Sequence, residues 1–349
     1  MRFPWRPLRI LVMVQLALAA CVGAKPASPG SPSESIRLTL AAYTTPREAY
    51  GEILPLFQAY WLDRTGQSVV FEESYLGSGA QSRAVAEGFE ADVVALSLQA
   101  DVTRIQDAGL ITHDWRQAPN RGMVSTSVVA FAVRPGNPLG IRDWSDLAQP
   151  GVEVLTPNPQ TSGGAMWNIL ALYGAALRGQ VEGVPGEDPD AAAAFLVGVL
   201  RNVTVMDKAA RDSMITFEQG VGDVAITYEN EVLVGRATGQ EYDLVIPAST
   251  MLIENPAAVV DVYAEEHGTL EAAEALVNFL FTPEVQEIYA RHGLRSVDPA
   301  VAQATAQQYP PVPDLFTIEF FGGWSQASPD FFGEAGIFTQ AILEAQGGG

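Results

Sequence analysis

The chain has 349 residues and a formal charge of −21, from 41 acidic and 20 basic side chains, and 48% of its residues are hydrophobic. That apolar fraction belongs to a folded chain rather than a disordered one, and the length suits two domains, each able to bury a core. The acidity argues against nucleic acid as a partner, because no basic surface is available to release counterions, and the single cysteine rules out an intrachain disulfide framework or a cysteine-based metal site.

At the N-terminus, Arg2, Arg6 and Arg9 precede an apolar run over residues 8–20 that ends in Leu18-Ala19-Ala20-Cys21. A basic start, a short apolar run and small residues before a cut read as a secretory signal peptide covering 1–20. The run is shorter than the about 20 residues a bilayer span needs. Its last four residues resemble the bacterial lipobox, which makes Cys21 the lipidated residue and the membrane anchor. Loss of 1–20 takes away three positive charges and no negative one, so −21 becomes −24. Residues 22–35, rich in Ala, Pro, Gly and Ser, read as a flexible linker.

Strands and helices then alternate. Residues 36–43 read as a strand, followed by an amphipathic helix to about 65, with Thr45 as its cap, Pro46 at the first helical position and Glu48 at capping-box spacing. A strand over 68–73 runs into Gly77-Ser78-Gly79, which opens a helix to 87; a third strand over 91–96 precedes a helix near 101–108. Strands over 126–133 and 152–155 follow, and Thr161-Ser162-Gly163-Gly164-Ala165 opens a helix carrying Met166, Ile169, Leu170 and Tyr173 on its apolar positions. A strand over 203–206, a helix over 210–219 and a strand over 223–228 complete the pattern. The alternation implies an α/β fold with mostly parallel sheets flanked by helices.

In open parallel sheets the ligand lies beyond the carboxyl ends of the strands, where helix N-termini present free N–H groups. Small residues there can hold an anion without lysine or arginine, since each N-terminus carries roughly half a positive charge. Gly77-Ser78-Gly79 is also a partial dinucleotide fingerprint, but Ser82 stands at the third glycine position. His113, His267 and His292 lie in separate polar segments with no metal or catalytic spacing, and are expected at the surface. No nucleophile elbow or phosphate loop is present, so an extracytoplasmic enzyme is the weakest reading. No cofactor or metal is expected.

Tyr43 with Arg47-Glu48, Gly77-Ser78-Gly79, Arg134-Pro135-Gly136-Asn137-Pro138, Thr156-Pro157-Asn158-Pro159, Ser162-Gly163-Gly164-Ala165, Glu229-Asn230-Glu231 and Phe321-Gly322-Gly323-Trp324 recur in one order over nearly the whole stretch after the linker. On these motifs the chain resembles the bacterial sulfate-binding proteins that serve ABC transporters. Trp324 marks the family and is itself expected in the core. The resemblance implies a two-lobed, type II periplasmic-binding-protein-like fold that closes over a dehydrated tetrahedral dianion. Lobe one would be 36–123 plus 246–349, and lobe two 124–245.

Carried over residue by residue, the ligand shell would be the backbone N–H at Thr44, Ser78, Ser162, the N–H groups of Gly163 and Gly164, the N–H at Ala210, and Tyr228. Three positions depart from the family: Thr44 stands where Asp is common, Tyr228 where a tryptophan is common, and Asp212 where a glycine is usual. Tyr228 can accept as well as donate, which softens rejection of a protonated oxyanion. Asp212 puts a carboxylate near the site, and otherwise reads as a helix cap or a partner of Arg211. The implied function is delivery of sulfate, or thiosulfate, to ABC permease subunits by a lipid-anchored, extracytoplasmic monomer. Phosphate, molybdate or tungstate are the alternative ligands.

Overall fold

A computed structural model describes residues 35–347. The expected signal peptide, Cys21 and all of the linker but its last residue lie outside the described residues. The first half of the fold begins with strands β1 (Ile36–Tyr43), β2 (Val69–Leu76) and β3 (Val93–Ala95), which alternate with helices α1 (Arg47–Thr65), α2 (Ser78–Ala86) and α3 (Gln99–Asp107). The long strand β4 (Met123–Val133) leads into β5 (Val154–Leu155), α4 (Gly163–Leu177), α5 (Pro189–Arg201), β6 (Val203–Val205) and α6 (Ala210–Glu218). Then come β7 (Val224–Tyr228), α7 (Glu229–Ala237), β8 (Asp243–Val245) and β9 (Ser249–Val259). Four helices follow: α8 (Asp261–His267), α9 (Leu270–Phe279), α10 (Pro283–Arg291) and α11 (Pro299–Thr305). The last described elements are β10 (Asp314–Phe316), α12 (Trp324–Phe332) and α13 (Ile337–Gly347).

The strand order is β2-β1-β3-β9-β4-β7-β5-β6, with β8 on β4 and β10 on β9. Parallel pairs β1/β2, β1/β3, β5/β6 and β5/β7 make two half-sheets, and the antiparallel strands β4 and β9 join them. Each joining strand serves both halves. Residues Leu252–Pro256 of β9 pair with β4 while Ala257–Val259 pair with β3, and Val129–Val133 of β4 pair with β7. The sequence of β4 fits this position, because a strand covered on both faces reads as a nearly unbroken apolar run, and all but one of its residues are buried. The edge strand β2 carries Glu72 and Glu73 on its exposed positions, which discourages pairing with another chain.

One core cluster joins α1, β1, β3, α9 and α10 through Ile53, Phe57, Trp61, Leu276 and Ile288. A second is built on α4 and α5 around Trp144, Trp167, Leu170, Tyr173 and Leu196. Phe316, Trp324, Phe331, Phe338 and Ala341 belong to the second cluster, so the elements from Asp314 onward pack there. This departs from the sequence reading, which gave everything from 246 onward to the first lobe: the apolar faces of α12 and α13 find α4 and α5, not the first half-sheet. Trp324 is in the core as expected, edge-on to Trp167 at 4.7 Å.

Candidate functional site

The two half-sheets meet at a seam, and three helix N-termini open onto it. Each follows a strand or loop that leaves its first N–H groups without an intrahelical acceptor: α2 at Ser78, α4 at Gly163 and α6 at Ala210. The close approaches are visible at the glycines. A Cβ on Gly164 would lie 2.8 Å from the Tyr228 ring and 3.3 Å from both the Ala210 Cβ and the Ser162 Oγ. One on Gly77 would meet the Thr161 carbonyl oxygen at 2.5 Å and that of Lys208 at 2.7 Å. One on Gly163 would lie 2.7 Å from Ser97 Oγ. Ser162, Gly163, Gly164, Ala210 and Tyr228 therefore form one group, and the Ser78 loop closes against it, with the Ala80 N–H donating to Thr161 O at 3.1 Å.

Among the described residues, the N–H groups of Thr44, Ser78, Gly163, Gly164 and Ala210 donate to no backbone carbonyl of a loop or cap. Ser162 is different. Its N–H is spent on the Asn158 carbonyl at 2.9 Å, while its hydroxyl makes no capping bond, so the hydroxyl is the donor it can offer. The Ser78 hydroxyl is the reverse case: it donates to Asp101 at 2.6 Å and accepts from the Ser97 N–H at 2.9 Å, which leaves the backbone N–H for a ligand. Tyr228, fully buried at the end of β7, has its hydroxyl 2.6 Å from Ser97 Oγ. Burial drives its pKa well up, so the phenol stays neutral.

Ser97 was not singled out from the sequence. The signal was present: it follows the third strand, as Thr44 and Ser78 follow the first two, and a small polar residue just beyond an apolar strand is where such sheets bind.

Beside the N–H groups lies an ionic network. Arg211 donates to both oxygens of Glu48 at 2.6 and 3.0 Å and to Glu231 at 2.7 Å, tying α1 to α6 and α7. Desolvation disfavours the charged guanidinium, but Glu231 and Glu48 outweigh it and raise the Arg211 pKa. The guanidinium is thus neutralised by carboxylates. The capping box expected at Thr45 does not form: Pro46 precedes α1 without a side-chain cap, and Glu48 turns to Arg211. Asp212 is not the partner of Arg211; it is exposed, and desolvation raises its pKa ahead of Asp207 nearby.

Several buried polar atoms around this seam have no hydrogen-bond partner: the Tyr43 hydroxyl, Ser213 Oγ and both side-chain polar atoms of Asn230. They neighbour Thr44, Ala210 and Tyr228 in sequence. Each buried unpaired group costs about 1–3 kcal/mol, so their concentration here marks a place built for polar contact rather than for packing. Five N–H groups and a hydroxyl, with the Arg211 guanidinium beside them already paired to carboxylates, can hold an anion without a counterion.

His113 and His267 are exposed as expected and His292 is half-buried, and each bonds a carboxylate. His113 bonds Asp261 at 2.8 Å, His267 bonds Asp92 at 2.8 Å and Glu90 at 3.3 Å, and His292 bonds Glu52 at 2.7 Å. Among the described residues no group of three or more His, Cys, Asp or Glu side chains is placed to hold a metal ion.

Comparison with known proteins fits this architecture. The chain is 42% identical to the sulfate-binding protein of Synechococcus elongatus over 93% of its own length and 92% of that protein. It is 34% identical to the thiosulfate-binding protein of Pseudomonas aeruginosa, over 94% and 98% of the two chains. The solved structure of the sulfate-binding protein SubI from Mycobacterium tuberculosis H37Rv superposes with a TM-score of 0.78 at 39% identity, covering 85% of this chain and 99% of that one. The fold is the expected periplasmic-binding-protein-like one. With residues 38–295 matching the family model, the chain belongs to the bacterial extracellular solute-binding proteins.

Proposed function

We propose that the protein is a receptor for sulfate, and secondarily thiosulfate, that hands its ligand to an ABC importer. What supports this reading is the set of N–H groups at Thr44, Ser78, Gly163, Gly164 and Ala210, which donate to no loop or cap carbonyl, and the packing of Ser162, Gly164, Ala210 and Tyr228 into one group against which the Ser78 loop closes. The names of the relatives support the same ligand. Sulfate is fully ionised at neutral pH, so donors alone satisfy it, whereas hydrogen phosphate needs an acceptor for its proton. An unpaired buried group costs about 1–3 kcal/mol, enough to reject the wrong oxyanion tenfold or more.

Lobe one is residues 36–123 with the return from 246, lobe two is 124–245, and the elements from Asp314 seat against lobe two. Thr44 and Ser78 then lie on one lobe, the other donors on its partner, so binding favours the closed form that brings both sets together. A monomer anchored by lipid at Cys21 on the outer side of the cytoplasmic membrane or in the periplasm would present that closed form to the permease. No catalytic step is proposed.

The test is calorimetric titration of the purified protein with sulfate, thiosulfate, phosphate and molybdate in turn. Sulfate is expected to bind most tightly, with thiosulfate next. Tight phosphate binding with no response to sulfate would overturn the assignment.

A further inference from the structure

Two cavities lie where the halves meet, and their charges differ. One, of 390 Å³, runs from Thr44 and is lined by four carboxylates, Glu48, Asp212, Glu218 and Glu231, against Arg47 and Arg211. The other, of 380 Å³, carries Arg83 and Arg104 against Asp101 alone, with Leu98, Met166 and Phe332 among its apolar walls. Asp101 is already committed, accepting from Arg104 at 2.6 Å and from the Ser78 hydroxyl at 2.6 Å. Neither Arg83 nor Arg47 has a carboxylate partner among the described ion pairs, so the two cavities differ in their carboxylates, one against four.

The position of Arg83 gives this imbalance a use. Its Nη1 would be 3.6 Å from a Cβ on Gly79, which would also lie 3.4 Å from the Thr161 carbonyl oxygen of the facing half, so the guanidinium folds back on the first turn of α2. The side chain is partly exposed, so it faces both solvent and seam.

We infer that the oxyanion reaches the site from the Arg83 side, with Arg83 as an outer contact that captures the anion before it passes to the N–H donors. The inference rests on the proposed dianion ligand. A chain of net charge −21 repels a dianion, but salt screens that field beyond about 8 Å, so local charges decide the approach. The cavity with two guanidinium groups against one carboxylate attracts the ion within that range, while the cavity with four carboxylates against two guanidinium groups repels it. Because Arg83 has no carboxylate to neutralise it, its whole charge is available for this.

Stopped-flow tryptophan fluorescence with sulfate tests the route on the wild type and on Arg83→Ala, Arg83→Lys and Arg47→Ala. At an ionic strength of about 10 mM, Arg83→Ala should slow association about fivefold, with the dissociation rate unchanged and the deficit shrinking as salt is raised. Arg83→Lys should restore most of the rate, and Arg47→Ala should change it by less than about twofold. Association by Arg83→Ala at the wild-type rate would overturn the inference. So would a faster dissociation at unchanged association, or an equal slowing by Arg47→Ala. Absence of sulfate binding to the wild type at equilibrium would instead remove the proposed function, so the two failures are separable.

Discussion

At Gly164 a single methyl group decides whether the donor set can assemble. The position meets the Tyr228 ring, Ala210 and the Ser162 hydroxyl at once, and the neighbours that would have to yield include a fully buried ring. Gly164→Ala is therefore expected to weaken oxyanion binding at least tenfold by calorimetry. Ser162→Ala removes one hydroxyl donor to a charged ligand, worth about 1.5–3 kcal/mol, and should weaken binding by about ten- to a hundredfold while thermal unfolding without ligand is unchanged. Unchanged affinity in both would move the site elsewhere. At this scale small residues at strand-to-helix junctions marked Ser78, Gly163 and Gly164 as candidates, the resemblance added Ala210, and α2, α4 and α6 begin at Ser78, Gly163 and Ala210. The sequence was silent on which atom of each serine is free. Asp101 and Ser97 claim the Ser78 hydroxyl, and Asn158 claims the Ser162 N–H, and neither choice is written in local spacing.

Among the elements, α1, α6 and α7 are linked where they meet the seam. Arg211 follows Ala210, so the residue that anchors the link adjoins one of the proposed anion donors, and its bonds to Glu48 run between the two halves. Glu48 and Arg211 are each partly exposed, which discounts the pair to about 1 kcal/mol. Glu48→Gln should then weaken ligand binding by about three- to tenfold without lowering the ligand-free unfolding temperature. Arg211→Ala should cost more and should also destabilise the free protein, because Glu231, whose side chain is 1% exposed, would lose its cation. Equal effects of the two substitutions on the unfolding temperature would contradict this. The failed capping box at Thr45 has the same origin: a tertiary cation outcompeted a local backbone N–H for Glu48. Strand and helix order was legible because the apolar periodicity is strong; β1 matches its expected span, and α1 and α6 end within a residue of theirs. The third strand is shorter than expected, since Asp92 turns its carboxylate to the Thr39 N–H and Leu96 pairs with Pro256 outside the ladder. The seat of α12 and α13 was not legible, because an amphipathic face does not name the surface that covers it.

For the whole molecule, titration limits stability on both sides of neutrality. The hydrogen bond from His267 to Asp92 raises the histidine pKa, against the opposing effect of burial, with Glu90 adding to the rise. The charged form is favoured in the fold, so this stabilisation is complete below about pH 6.5 and is lost as pH rises through the higher folded value. Glu52, held down by Arg291 and His292, and Asp314, held down by Arg178, act in the opposite sense. Their contributions are present above about pH 4 and vanish as pH falls through the lowered values. Thermal unfolding should decline between about pH 6.5 and 9, and His267→Gln should flatten that decline. A slope as steep in the variant would rule out His267 as its source. The free N–H groups of the seam have a further consequence for the molecule in solution. A backbone amide with no acceptor exchanges its hydrogen for deuterium readily unless something covers it. Thr44, Ser78, Gly163, Gly164 and Ala210 should therefore label more slowly in the loaded protein than in the free one, which would let occupancy be read position by position from isotope uptake without any added probe.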